Sequence, residues 1–379
     1  DTSLASSVLN TLDGNTTGTV NAATVATLTG TAAAANTAYA SSGISGLGNE
    51  AVTLSDTSLA ATVLNTLDDN TTGAVNAATV TTLTGLGGDI NVSYASSGIT
   101  GLGDEAVTLS DITIDGAVLN TLDGNTTGAV DASALTTISG AAADANTAYA
   151  SNGITGLGNE IASISDVSIT ASVLNTLDGN TTGEVNGTNL TTITGAAADV
   201  NTAYASSGIT NLGNETVTIS DTSLAATVLN TLDGNTTGAV NAATVTTLTG
   251  AAAAVITSYD SSGITGLGNE KLTLSGSTSV ANANTLAADT TGVITATITE
   301  TDASTLATLT ETTNAYTITV GDTSVTAANL NTIDGATTVA VTATAVTTIT
   351  GAAADVNTAY ASSGINGLGN EAVTLSDTT

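Results

Sequence analysis

The residues that could do chemistry in this chain recur at fixed spacing, and nearly all of them are acidic. Asp13, Asp68, Asp123, Asp178, Asp233 and Asp334 fall in the phrase LDGN or its variants. Glu50, Glu105, Glu160, Glu215, Glu270 and Glu371 fall in LGNE or LGDE. Carboxylates repeated on stacked turns become columns, and the chemistry that suits a carboxylate column is cation binding. Calcium takes six to eight oxygens from carboxylates, carbonyls and amides, and Asp13-Gly14-Asn15-Thr16-Thr17 offers several. These two sets are the candidate metal positions. Solvated turn acids are the other reading, because the phrases match neither an EF-hand loop nor a nonapeptide calcium β-roll. A third set, Asp56, Asp111, Asp166, Asp221 and Asp322, opens successive repeats. It reads as acids at helix N-termini, which cap amides and complement the helix dipole.

Other chemistry finds little support. The chain has no His and no Cys, and Lys271 is its single basic residue. Ser and Thr abound, but no base stands ready to activate them, so the reading is of a protein that is not an enzyme. Tyr39, Tyr94, Tyr149, Tyr204, Tyr259 and Tyr360 form one aromatic column, read as rings that fill alanine-lined gaps with the hydroxyl at the edge. Asn15, Asn70, Asn125, Asn180 and Asn235 sit in Asn-x-Thr triplets that a host with the machinery could glycosylate.

Charge narrows the partners. The formal net charge is −32, with 33 acidic residues against one basic. Such a chain cannot neutralise phosphates, which argues against nucleic acid, and anionic membrane surfaces repel it. No apolar run reaches the 18 or so residues of a membrane span, so no membrane insertion is expected in this segment. Divalent cations are the natural counter-charge.

The elements that hold these columns come from a repeat. A 55-residue unit occurs five times over residues 1–275, a shorter 46-residue variant covers 276–321, and a sixth full unit covers 322–376. Residues 377–379 begin another unit, which reads as a segment of a longer array. In the second unit, Asp56-Thr57-Ser58 are N-cap types, and Leu59, Val63, Leu64 and Leu67 share one helical face. The Gly that follows the Asp in most copies, as at Gly14, Gly124 and Gly179, is expected to stop that helix in a left-handed conformation. GAVNA at 73–77 reads as a short strand. The second half repeats the logic: VTTLTG leads to an alanine-rich helix, seen at 196–205 in the fourth unit, and TVTIS at 216–220 alternates like a half-buried strand.

Strands and helices alternating at short spacing imply parallel strands with right-handed crossovers. The expected fold is therefore an α/β solenoid of stacked strand–helix coils, about two coils per repeat. An all-β solenoid is the alternative, since Thr and Val favour strands and VTTLTG could itself be one. A single coil buries too little apolar surface to offset its chain entropy, so stability must come from stacking on its neighbours. The expected partner is thus the array itself, through repeat stacking and fibre or lateral assembly.

The phrases VLNTLDGNTTGAVNA, TTLTGAAADVNTAYASSGITGLGNE and AVTLSDTS resemble the repeats of giant, repeat-rich cell-surface proteins of marine cyanobacteria, including those of the swimming-motility type. The likeness extends over nearly the whole chain and is weakest in the 46-residue variant. It implies export, an extracellular or cell-surface location in a calcium-rich environment, and a role in a coat, filament or motility structure. No catalytic residue is implied. A stalk or ligand-binding array of a large calcium-dependent adhesin is the competing expectation.

Overall fold

The computed structural model describes residues 1–377. Short strands and helices alternate along the chain, with every strand pair parallel among the described residues. This is the α/β solenoid expected, and the regular helices set aside the all-β alternative.

The first unit and the start of the second illustrate the coil. In order they give β1 (Ser3–Ala5), α1 (Ser6–Gly14), β2 (Val20–Asn21), β3 (Thr27–Gly30), α2 (Ala32–Ala40), β4 (Ile44–Ser45), β5 (Ala51–Leu54), β6 (Ser58–Ala60) and α3 (Ala61–Asn70). Next come β7 (Val75–Asn76), β8 (Thr82–Gly85), α4 (Gly87–Ala95) and β9 (Ile99–Thr100). In β5, Val52 and Leu54 point into the core while Ala51 and Thr53 face out, the alternation of a half-buried strand. In α3, Leu64 and Leu67 are fully buried on the core-facing stripe, three residues apart.

Three sequence expectations need correction. Leu59 belongs to β6, not to the helix, which begins at Ala61 after an extended Ala60. Its buried position fits a strand face as well as a helix face, so periodicity alone could not decide. Gly14, Gly124 and Gly179 are not left-handed stops. Each lies inside its helix, which runs on to Gly14, Asn125 or Asn180. VTTLTG is a strand in its last four residues, as at β8. It ends on Gly85 at φ 138°, a conformation open to glycine, and the chain then turns into α4.

Strand and helix follow different periods. Ladder partners step by 24 residues from Ser3 to Thr27 and Thr27 to Ala51, by 23 from Val52 to Val75, and by 24 from Val75 to Ile99. Helix starts step alternately by 26 and 29, at Ser6, Ala32, Ala61, Gly87 and Gly116. The ladder therefore lags the coil. A sheet that begins on strands leading into helices, β1 and β3, passes through β5 and ends on strands that follow helices, β7 and β9. Each of the five repeats over residues 1–275 starts a five-stranded sheet of its own.

Contacts divide the chain into two compact units, each made of such coils. The first holds residues 1–167 with 173–190 and 206–211; the second holds 168–172, 191–205 and 212–379. In the first unit, three five-stranded sheets and the pair β2–β4 line one side of a continuous core, with successive helices packed along the other. The second unit repeats this arrangement, and its sheet of strands Ser223–Ala225, Thr247–Gly250, Lys271–Thr278, Ile294–Ile298 and Ala315–Thr317 carries the variant repeat.

Candidate functional site: polar staples between coils

The carboxylate columns are built into the joints between coils. Asp68 lies in the last turn of α3, where negative charge opposes the helix dipole. Its Oδ2 accepts a hydrogen bond from the Ser96 hydroxyl at 2.5 Å, and Ser96 Oγ in turn accepts from the Gly98 amide at 3.0 Å. The same contacts join Asp13, Asp123, Asp178, Asp233 and Asp334 to Ser41, Ser151, Ser206, Ser261 and Ser362. The other carboxylate oxygen lies directly over the glycine α-carbon. A β-carbon on Gly98 would overlap Asp68 Oδ1, and the equivalent glycines at 43, 153, 208, 263 and 364 face the same crowding. Asp, Ser and Gly thus form one staple, 28 residues apart at Asp68 and Ser96.

The glutamates are deeper. Glu50, Glu105, Glu160, Glu215 and Glu270 are fully buried. Glu50 Oε2 accepts from the Tyr39 hydroxyl at 3.1 Å, the Gly48 amide at 2.8 Å and the Asn49 amide at 3.1 Å. The next coil closes on the same residue: Thr71 Oγ donates to the Glu50 carbonyl at 2.7 Å and accepts from the Gly73 amide at 3.0 Å. The Tyr and Glu columns, read separately from sequence, are therefore one network, with Thr71, Thr126, Thr181, Thr236 and Thr290 as its third member. The constant spacing of 11 residues between Tyr and Glu was the available signal. Glu Oε1 is buried without a hydrogen-bond partner in all six copies.

Burial pushes the Tyr39 and Tyr149 hydroxyls up to about 12, with the facing Glu50 or Glu160 charge adding to the rise and Thr71 or Thr181 opposing it. Tyr94, Tyr204 and Tyr259 are raised further for the same leading reason. These rings therefore remain donors to their glutamates across the ordinary pH range.

The third acidic column lies at helix N-termini, but not at those that follow it in sequence. Asp56 Oδ2 accepts from the Ala32 amide at 2.8 Å and so caps α2, the helix 24 residues earlier. Asp111, Asp166 and Asp221 cap the helices starting at Gly87, Ala142 and Ala197 at the same 2.8 Å. The expectation that Asp56 caps its own helix is thus corrected: α3 starts at an Ala60 cap with no side-chain bond. A local Asp-Thr-Ser cannot reveal whose amide it serves once coils stack.

A column that sequence reasoning missed runs along the helices. Asn65 Nδ2 donates to the Asp89 carbonyl at 2.9 Å, and Asn91 Nδ2 to the Val118 carbonyl at 3.1 Å, each reaching the next helix. Asn70, Asn125, Asn180 and Asn235 donate to Asn36, Asn91, Asn146 and Asn201 at 2.9–3.0 Å. These four triplet asparagines have their amide nitrogens engaged in the joint, so a glycan there would break it.

In both candidate columns the carboxylates are drawn into hydrogen bonds within the joints. Each level supplies one carboxylate, already bonded to Ser or to Tyr and backbone amides, against the six to eight oxygens calcium takes. Among the described residues, no group of three or more His, Cys, Asp or Glu side chains could hold a metal ion. No helix among them is long and apolar enough to cross a membrane. No protein-family model, curated protein or solved structure matches the chain.

Proposed function

We propose that this chain is a structural repeat segment of a secreted extracellular fibre or cell-surface layer, without enzymatic activity. The observation that carries the reading is where the polar side chains go. The Asp–Ser–Gly, Tyr–Glu–Thr, Asn–carbonyl and Asp–helix contacts each join one coil to another, repeat after repeat. An array built this way gains stability by adding units, which is what a fibre or coat requires. Cations serve it as diffuse counter-charge to a net charge of −32.

Cryo-electron microscopy of the native material, with and without a calcium chelator, tests the reading. Long arrays of uniform coils, unaffected by chelator at constant ionic strength, are the expected result. Compact separate particles would overturn it and favour the stalk or ligand-binding array of an adhesin. Unravelling in chelator would restore the acidic columns as metal sites.

A further inference from the structure

The variant unit at 276–321 breaks the joints on one side of the coil only. Two staples are missing at the joint that precedes its helix Val280–Asp289 and one at the joint that follows it. Gly276 stands where other units carry the capping Asp, at φ 74°, and no Asp serves the helix Ala252–Asp260. Ile256 and Asp289 replace the Asn201–Asn235 type of amide pair, which leaves Asp289 Oδ2 buried and unpartnered. Burial and the neighbouring Asp260 charge push the Asp289 carboxyl up. Ala287 stands in the Asp68 position, so the Asp–Ser–Gly staple has no first member. The following helix is only four residues long, Ala303–Leu306, against nine or ten elsewhere. Close packing of successive helices, continuous from Ala197–Ala205 to Val280–Asp289, falls to marginal contact between Val280–Asp289 and Ala303–Leu306. A cleft of about 230 Å³ lies at the C-terminal end of Val280–Asp289, against the segment 311–314, lined by Ala287, Thr290, Glu311, Thr313 and Asn314.

The strand side is reinforced instead. Lys271–Thr278 and Ile294–Ile298, eight and five residues long, are the longest strands among the described residues and pair with each other on both sides of a bulge between Thr273 and Ser277. No glutamate is buried here; Asn314 is buried instead and satisfies both ends of its amide: Oδ1 accepts from the Ile294 amide at 2.8 Å and Nδ2 donates to the Tyr316 hydroxyl at 3.0 Å. Thr337 bonds the Tyr316 carbonyl at 2.7 Å and closes the same network. Polar bonds that remain between the two helix levels come from Asn284, to the Thr308 carbonyl at 2.8 Å and from the Thr310 amide at 3.1 Å, and from Glu300, whose Oε2 accepts from the Val280 amide at 3.0 Å.

We propose that the variant unit is a hinge within the second compact unit: its helix side opens at the 287–314 cleft while its strands stay paired. A stack held at every level on both sides resists bending. One level with fewer helix-side bonds and little helix packing, its strands still paired, gives the array a fixed place to flex, and the local opening free energy there is the lowest in the unit.

Hydrogen exchange on the whole chain tests this. Amides 284–290 and 305–309 are expected to exchange at least tenfold faster than their counterparts in the helices Ala197–Ala205 and Ala226–Asn235. Amides in Lys271–Thr278 and Ile294–Ile298 should stay as slow as those in Thr247–Gly250. Asn284→Ala should accelerate the 305–309 amides a further three- to tenfold, while Asn230→Ala in a regular coil leaves its neighbours within twofold. Equal protection of all helices would overturn the hinge. Strands exchanging together with the helices would also overturn it, because the unit would then be unravelling as a whole.

Discussion

Gly124 and Gly128 stand four residues apart, and an added methyl should affect them in opposite directions. A β-carbon on Gly128 would overlap the Glu105 carbonyl, which Thr126 already holds in place. Backbone cannot yield as a flexible side chain can, so Gly128→Ala should cost roughly 2–4 kcal/mol. Gly124 lies inside a helix, and a β-carbon there would meet nothing within 4 Å. Ala gains helix propensity at that position, and Gly124→Ala should be neutral or stabilising by up to about 1 kcal/mol. Urea denaturation of the two variants compares them directly, and equal effects would mean that the Glu105 carbonyl is not rigidly held. Tyr149→Phe removes one of the donors to the buried Glu160 and should cost about 1.5–3 kcal/mol, as expected for a bond to a charged acceptor. The same rings set an alkaline limit. A tyrosine held at about 12 when folded, against 10 when unfolded, keeps its proton more tightly in the native state. Its stabilisation is complete below pH 10 and is lost as pH rises towards 12, on the order of 2 kcal/mol per ring. Absorbance of tyrosinate should therefore rise together with loss of circular dichroism, not before it.

At the scale of the element, the cap that crosses between coils gives a sharp test. Asp166 bonds the Ala142 amide, so Asp166→Ala should weaken the helix Ala142–Ala150 by about 1 kcal/mol. The helix that begins at Ala171, just after Asp166 in sequence, should be untouched. Exchange rates at amides 142–145 against 171–174 read this out, and faster exchange at 171–174 alone would return the cap to its local helix. Much of this scale was legible beforehand. The alternation in Thr216–Ile219 and the alanine-rich pattern at Ala197–Ala205 gave strand and helix correctly, because burial on one face writes its period into the sequence. Leu59 and Gly14 were misread because both fit two local structures equally well, and the choice is made by the neighbouring coil. The partners of Asp56 and Tyr39 were not legible in any short window. The first depends on which residues the stacking brings opposite, at an offset of 24; the second left only its constant spacing of 11 residues as a signal.

Over the whole molecule, charge and repetition set the behaviour. With 33 acidic residues and one lysine, the carboxylates repel more than they pair. The Debye length falls from about 30 Å at 0.01 M salt to about 8 Å at 0.15 M, so the thermal midpoint should rise by several degrees over that range. Sodium and magnesium chloride at equal ionic strength should act alike if the cations only screen. A midpoint that ignores salt would show the charges to be too far apart to interact. Glu50 and its equivalents are expected to contribute little to this effect, since burial removes them from the ionic atmosphere.

The offset ladder has a further consequence, for how such a gene can change length. In the regular units every joint spans a constant sequence offset: 24 residues from Asp to the helix it caps, 28 from Asp68 to Ser96, 21 from Glu50 to Thr71. None of these contacts respects a repeat boundary, so the unit has no privileged first residue. Unequal crossing-over between two copies at any matching point inserts or removes 55 residues and leaves every offset flush on both sides. An insertion of another length leaves a seam, with caps facing the wrong amides and staples lacking a partner. The 46-residue unit is such a seam: it is nine residues short, lacks several staples, and keeps its helix caps only at offsets of 20 and 19 residues instead of 24.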